Sequence, residues 1–280
     1  MSIQDNTIDL AFVEQFESDY HLAYQRLSAK LRPTVRTKTG IVGKQTTFQT
    51  IGKATASQKA RNGEVSLNNI DHTPVPCTLQ DWYSAELVDK LDELKINHNE
   101  RQAVATSLAA ALGRKDDELI TNVMTAATVA SGNETVDTGG MTLPKCETVF
   151  EAMGNADVPD DGQRYLIVGP QQWTDLMNIS QFSNADYIGG DELPYPMIGY
   201  AAKRWFSFIV MPFSGLPKAG NVRSCFAYHS SAVGHASQAD ISLDITWQGK
   251  NQGHLFVGSM ATGACQIDAA GLWNIKCTES

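Results

Sequence analysis

The chain has 280 residues, and 42% of them are hydrophobic, which is enough for a core and excludes a globally disordered protein. Its net charge of -9 argues against a dedicated nucleic-acid-binding protein. No apolar run approaches the roughly 20 residues that cross a bilayer, and the acidic N-terminus lacks the pattern of a signal peptide.

Charge is distributed unevenly over the first quarter of the chain. Residues 1–20 carry only acids, whereas residues 21–63 contain no Asp or Glu and hold nine Lys and Arg residues. The remainder is acidic on balance. A basic segment on an acidic body favours contact with a second copy of that body, because complementary charge steers association and fixes register.

The first predicted element is an amphipathic helix that ends at Pro33, so residues 1–33 are interpreted as a helical arm. Large apolar and aromatic side chains recur every three or four residues and form one packing stripe: Phe12, Phe16, Tyr20, Tyr24, Leu27 and Leu31. Such a stripe packs on its own subunit, which is the favoured interpretation, or on a neighbouring subunit.

Residues 34–80 are predicted to form an extended two-stranded loop. Residues 44–51 have the composition of a strand, and apolar alternation from Val75 to Leu79 indicates a second strand, which two prolines confine to a sheet edge. Because an isolated hairpin is marginally stable in water, we expect the loop to rest on something outside its own domain. The basic residues of arm and loop are the candidate inter-subunit contacts: Arg32, Arg36, Lys38, Lys44, Lys53, Lys59 and Arg61.

Helices are predicted for the next region. Residues 81–94 place charged and apolar side chains at helical spacing, and a long helix follows, from a cap at Asn97 or Asn99 to about residue 128. At roughly thirty residues this helix would reach ~45 Å and act as a spine. Its acidic run at residues 116–118 is interpreted as a solvated face.

The rest of the chain has the pattern of an α/β unit followed by strands. The predicted elements are a helix from Thr142, a strand at 165–168, a helix from Pro170, strands at 205–211 and 223–229, and three short strands within 241–275, with turns at 249–253 and 269–271.

No constellation of residues for catalysis is found in the sequence. Phosphate-loop, nucleophile-elbow and metal-ligand spacings are absent. Five scattered cysteines without a C-x-x-C motif indicate reduced, mostly buried thiols. Cys225 and His229 would suit a nucleophile pair, but a buried thiol and a surface imidazole are favoured. We therefore predict no catalytic residue, no cofactor and no metal site.

The order of these parts resembles the major capsid protein of tailed bacteriophages, whose Hong Kong phage-type fold is shared with encapsulins. The resemblance covers nearly the whole chain and rests on the order of parts more than on any motif. The phrases that carry it are residues 16–35 at the arm, Asp116-Asp117-Glu118-Leu-Ile in the spine, Thr142-Leu-Pro-Lys, the strand and helix of Tyr165 to Met177, Tyr228-His-Ser-Ser-Ala-Val-Gly, and the strands of 253–277.

The resemblance implies an α+β fold in four parts. These are an N-terminal helical arm (1–33), an extended β-loop (34–80), a peripheral domain around the spine helix (81–140 and 240–280) and an axial domain (141–239). It implies a structural protein of the virion, not an enzyme, assembled in the host cytoplasm.

The same resemblance implies self-assembly into hexamers and pentamers of an icosahedral head around double-stranded DNA, which is enclosed without sequence-specific binding. The implied partners are copies of the chain itself, portal and scaffolding proteins and a decoration protein, with no membrane. Two alternatives stay open: an encapsulin-like shell or another virion structural protein, and an α/β enzyme with a basic lid. The enzyme is disfavoured because convergent polar groups are missing.

Overall fold

The computed structural model describes residues 25–26, 28–91, 100–135, 139–183 and 203–279. The predicted arm helix falls largely outside these ranges, and so do all stripe residues except Leu31, which is fully buried. Within the described residues, no helix is long and apolar enough to cross a membrane.

The described part of the chain contains both strands and helices. In chain order they are β1 (Arg36–Thr39), β2 (Gln45–Ile51), β3 (His72–Thr78), β4 (Gln80–Asp89), α1 (Glu100–Ser131), α2 (Leu143–Asn155), β5 (Arg164–Val168), α3 (Pro170–Met177), α4 (Ser180–Ser183), β6 (Lys203–Trp205), β7 (Phe208–Pro212), β8 (Lys218–Ala219), β9 (Val222–His229), β10 (Val233–Gln248), β11 (Gly253–Gln266) and β12 (Leu272–Thr278). A short 3-10 turn at Arg32–Thr34 precedes β1.

One layer is a four-stranded sheet in the order β1-β10-β11-β4. Strands β10 and β11 form a long antiparallel hairpin, β4 runs antiparallel to β11, and β1 pairs in parallel with Gly234–Ser237. Helix α1 is the predicted spine, with 32 residues, and it packs on β11 where Leu108 and Leu112 approach Gly258. Glycine at that position lets the helix come close to the sheet.

The helix predicted over residues 81–94 is wrong for most of its length, because residues 80–89 form β4. All ten residues of β4 are in register with β11, from Gln80 opposite Thr262 to Asp89 opposite Gly253. This ladder satisfies the backbone groups of the segment, so a partner about 170 residues away in the sequence overrides the helical spacing.

The second layer is a six-stranded sheet that contains β12-β9-β5-β7-β6, with β8 paired to β9. Helices α2 and α3 and the C-terminal half of α1 pack on it, and their buried side chains form the main core. The strand predicted at residues 205–211 is two strands, since Phe206 and Ser207 both have positive φ and form the turn of the β6–β7 hairpin.

As predicted, the C-terminal region forms three strands separated by two turns, but two of these strands are long. Strands β10 and β11 have 16 and 14 residues and belong to the spine-bearing sheet, whereas β12 pairs with β9 in the other sheet.

Glu279 follows β12 and holds this segment against β8 and β9, because its carboxylate pairs with Arg223 and with Lys218 (2.6 Å). These contacts lower the pKa of Glu279 to about 2.

Candidate assembly interface

Strands β2 and β3 form a separate two-stranded sheet, as the sequence predicts. We call β2, β3 and the intervening residues 52–71 the hairpin, and residues 52–71 its tip. The tip has no strand pairing of its own, and its two arms are joined by the N–H of Gly52, which donates to the carbonyl oxygen of Asp71 at 2.9 Å. A segment with so few internal contacts gains stability from an external surface.

A small apolar cluster attaches the base of the hairpin to the four-stranded sheet. Its buried members are Phe48, Cys77, Leu79, Ala236 and Cys265. Gly263 lies under the junction of β3 and β4, where an added Cβ would clash with the carbonyl oxygen of Thr78. The base is therefore fixed by close packing, whereas the tip projects from it.

The tip exposes large apolar side chains. Val65 and Leu67 are 65% and 91% exposed, and Ile51, the last residue of β2 before the tip, is 66% exposed. Apolar exposure of this kind marks an interaction surface rather than an ordinary polar loop.

Three of the seven predicted contact residues lie at the root of the hairpin and contact their own chain. Arg32 pairs with Asp240 of β10 at 2.7 Å. The cationic groups of Arg36 and Lys38 lie 5.7 and 4.6 Å from the ring centre of Phe48. These side chains therefore support the base of the hairpin within the subunit.

The other four lie in or next to the hairpin and are exposed. Lys53 pairs with Asp157 of the same chain at 2.9 Å, but both side chains are 79% exposed, and such pairs are weak. Within the described part of the chain, Lys44, Lys59 and Arg61 have no ion-pair partner. The tip also contains Glu64 and Asp71, so its three basic residues against two acids leave one net positive charge, with the basic residues Lys59 and Arg61 close together.

Strand β10 carries a row of apolar side chains that the described residues cover incompletely. Leu243, Ile245 and Trp247 lie on the same face as Phe256, the face on which α1 packs. They are 38%, 52% and 47% exposed because α1 lies over β11 and β4 instead. Exposed or half-exposed acids also lie on two strands of this sheet: Asp81, Glu86 and Asp89 on β4, and Asp240 and Asp244 on β10. The sheet therefore combines apolar and acidic character.

A buried carboxylate holds the segment that leads from the arm. Asp117 of α1 is fully buried and accepts three hydrogen bonds, from Arg26 Nη1 (2.9 Å) and from the backbone N–H groups of Lys30 (2.9 Å) and Leu31 (3.0 Å). Burial raises the pKa of Asp117, and these hydrogen bonds oppose the rise. The segment after the arm crosses α1 at Gly113, where an added Cβ would lie 3.1 Å from the backbone nitrogen of Ala29.

The neighbouring acid binds a different element. Asp116 is 4% exposed and accepts a hydrogen bond from Nε2 of His235 on β10 at 2.7 Å. The prediction that residues 116–118 form a solvated face is therefore wrong for Asp116 and Asp117, and holds only for the exposed Glu118. Together the two buried acids join the arm segment, the spine and the four-stranded sheet.

The Cys225–His229 pair is not a nucleophile site. The two residues lie on β9 four positions apart, about 13 Å along a strand, and burial raises the pKa of the Cys225 thiol. His229 is buried rather than on the surface, and its ring contacts Asp161 (3.0 Å) and Ser231 (2.7 Å). Across the described ranges, all five cysteines are free and buried, and no cluster of His, Cys, Asp or Glu side chains is arranged so that it could hold a metal ion.

Comparison with known proteins decides between the shell and the enzyme. A family model of phage capsid proteins matches residues 8–279. The chain belongs to the phage capsid protein family. It is therefore a major capsid protein, a structural protein of the virion that assembles with its own copies into a shell, and not an enzyme.

Solved capsids have the same fold at low sequence identity. The capsid of cyanophage P-SCSP1u matches with a TM-score of 0.77 and 16% identity, over 99% of this chain and 96% of that chain. The capsid of Ralstonia phage GP4 gives 0.73 and 8%, over 96% and 95%. The capsid of a native GTA particle gives 0.67 and 13%, over 99% and 100%. No curated protein sequence matches.

Proposed function

We propose that this capsid protein forms hexameric and pentameric rings that close into an icosahedral head around double-stranded DNA. In each ring the hairpin of one subunit lies on the acidic body of the next. The observation that carries the proposal is the hairpin itself, whose tip is basic and apolar at once on a chain of net charge -9.

The two surfaces are complementary in charge and polarity. The tip offers Lys59 and Arg61 near exposed Val65 and Leu67 in the sequence, and the four-stranded sheet offers acids on β4 and β10 together with the apolar β10 row. Contact of two different surfaces on identical subunits is heterologous, and such contacts generate closed rings when the rotation between subunits closes. Opposite charge then fixes the register of neighbours.

The proposed subunit has an arm (1–33), an extended loop (34–80), a peripheral domain (81–140 and 240–280) and an axial domain (141–239). The acidic body suits a container for DNA, because a wall that bound phosphates tightly would hinder packaging and release. Portal and scaffolding proteins and a decoration protein are the further partners in this proposal, with assembly in the host cytoplasm.

The test is the assembly state of the purified chain at low and high salt, followed by sedimentation velocity and negative-stain microscopy. We expect rings or shells that weaken as salt rises. The double charge reversal K59E/R61E should impair assembly, whereas K250E, in the exposed β10–β11 turn, should assemble like the native chain. A native chain that stays monomeric at every concentration would contradict the proposal. If K59E/R61E assembles as well as the native chain, the basic residues of the hairpin do not contribute to the contact between subunits.

A further inference from the structure

Strand β10 presents an open backbone edge along most of its length. On the side away from β11, the described strand is β1, and it pairs with β10 only at Gly234–Ser237. The following ten residues, 239–248, therefore direct backbone N–H and C=O groups toward no other described strand. Unpaired edges of this length bind additional strands unless something protects them.

The usual protection is weak at this edge. The sequence from Ala239 to Gln248 contains no Lys, Arg or Pro, the residues that most often block edge pairing. A bulge interrupts the pairing with β11 between Ser237 and Ser242, but from Ser242 onward the register is regular. The open part also carries the half-exposed row of Leu243, Ile245 and Trp247. An added strand would cover both the edge and the row.

The tip contains a segment that has the pattern of such a strand. Residues 63–70 form no ladder in their own chain, and Val65 and Leu67 alternate with polar residues. Alternate side chains of an added strand point to the same face of the sheet, so both would reach the apolar row. Lys59 and Arg61 immediately precede the segment, while Asp244 lies on the edge. Asp240, four residues earlier, pairs with Arg32 of its own chain.

We propose that residues 63–70 of one copy add as a strand to the open edge of β10 in a second copy. The proposal rests on the assembly described above and specifies its contact. Main-chain hydrogen bonds supply affinity in strand addition, and pockets for alternate side chains supply specificity. The occupant is a second copy because the tip of the same chain makes no pairing with β10, and its Lys53 contacts Asp157 on the other layer.

Disulfide trapping tests the contact in assembled particles. Three double variants combine L67C with L243C, I245C or W247C. The three positions on β10 are chosen so that the cysteine at position 67 of the added strand has a cysteine to pair with whether that strand runs parallel or antiparallel to β10. All native thiols described are buried, which keeps the background low. We expect at least one variant to give a ladder of covalent oligomers on a non-reducing gel after mild oxidation with diamide. Reduction should collapse the ladder to monomer.

Two controls use exposed apolar positions away from the proposed contact. V129C, on the exposed side of α1, replaces the β10 position in one control, and V42C replaces the tip position in the other. Neither control should give the ladder. Assembled particles in which none of the three test pairs crosslinks would overturn the strand addition and leave the proposed function standing. Failure of the native chain to assemble would overturn both.

Discussion

Asp117 joins the segment after the arm to the spine helix, so its removal should destabilise the fold. In D117A, the Arg26 guanidinium and the N–H groups of Lys30 and Leu31 lose their acceptor, a carboxylate that is only 1% exposed while the Arg26 side chain is 20% exposed. Breaking a buried ionic contact by removing one partner costs about 3–5 kcal/mol. At about 2–4 °C per kcal/mol, the melting temperature should fall by about 10 °C. D117N keeps one acceptor oxygen and should lose less.

Thermal unfolding followed by circular dichroism, together with tryptophan fluorescence, measures this loss. The matched control is E118A, the next residue on the spine, whose surface pair with Lys115 (2.9 Å) contributes at most about 1 kcal/mol. Assembly at a temperature where D117A is folded then shows whether the arm segment matters beyond stability. If D117A melts within 2 °C of E118A, which corresponds to a free-energy difference of at most about 1 kcal/mol, the Asp117 contact does not stabilise the fold as expected.

Three other measurements test separate parts of the structure. The pKa of Glu279 is lowered from 4.5 to about 2, so its ionised form stabilises the fold above pH 4.5, and this stabilisation disappears as the pH falls toward 2. E279Q should therefore be less stable than the native chain by about 2–3 kcal/mol at pH 7 and equally stable near pH 2, as measured by denaturant unfolding. G263A should cost about 2–3 kcal/mol or prevent soluble expression, whereas G249A, with no atom near the added Cβ, should be nearly neutral. The five buried cysteines should react with a thiol reagent only after unfolding, and fast labelling of the native chain would contradict their burial.

Local patterns in the sequence predicted the parts of the fold that depend on local physics. The two hairpin strands follow from β-branched residues and two prolines that suit a sheet edge. The spine follows from apolar residues at helical spacing over about thirty positions. Pro144 and Pro170 lie in the first turns of α2 and α3, where proline is favoured.

Features that depend on distant partners were not predictable in this way. Strand β4 has helical spacing, and only its ladder with β11 makes it extended. Asp117 looks like a surface acid of a long helix, but its partners lie 86 to 91 residues earlier in the chain. His235 likewise meets Asp116 across 119 residues. A charged residue with no sequence-local partner gives no signal that separates a solvated face from a buried contact.

In the candidate interface, too, some features are visible in the sequence and others depend on distant partners. The excess of basic residues in the loop is visible in the sequence, and three of them, Lys44, Lys59 and Arg61, are exposed and pair with no described residue. That Arg32 instead pairs with Asp240, and that Arg36 and Lys38 lie on Phe48, depends on how the hairpin base meets β10. The open edge of β10 also became visible only once strand order was known.

Electron cryo-microscopy of particles assembled from the native chain would show directly where the hairpin lies. We expect closed shells built of hexamers and pentamers, with the hairpin of each subunit lying on the acidic four-stranded sheet of its neighbour. Shells in which the hairpin instead packs on its own subunit, or a chain that forms only monomers or two-fold dimers at every salt and protein concentration, would contradict this expectation.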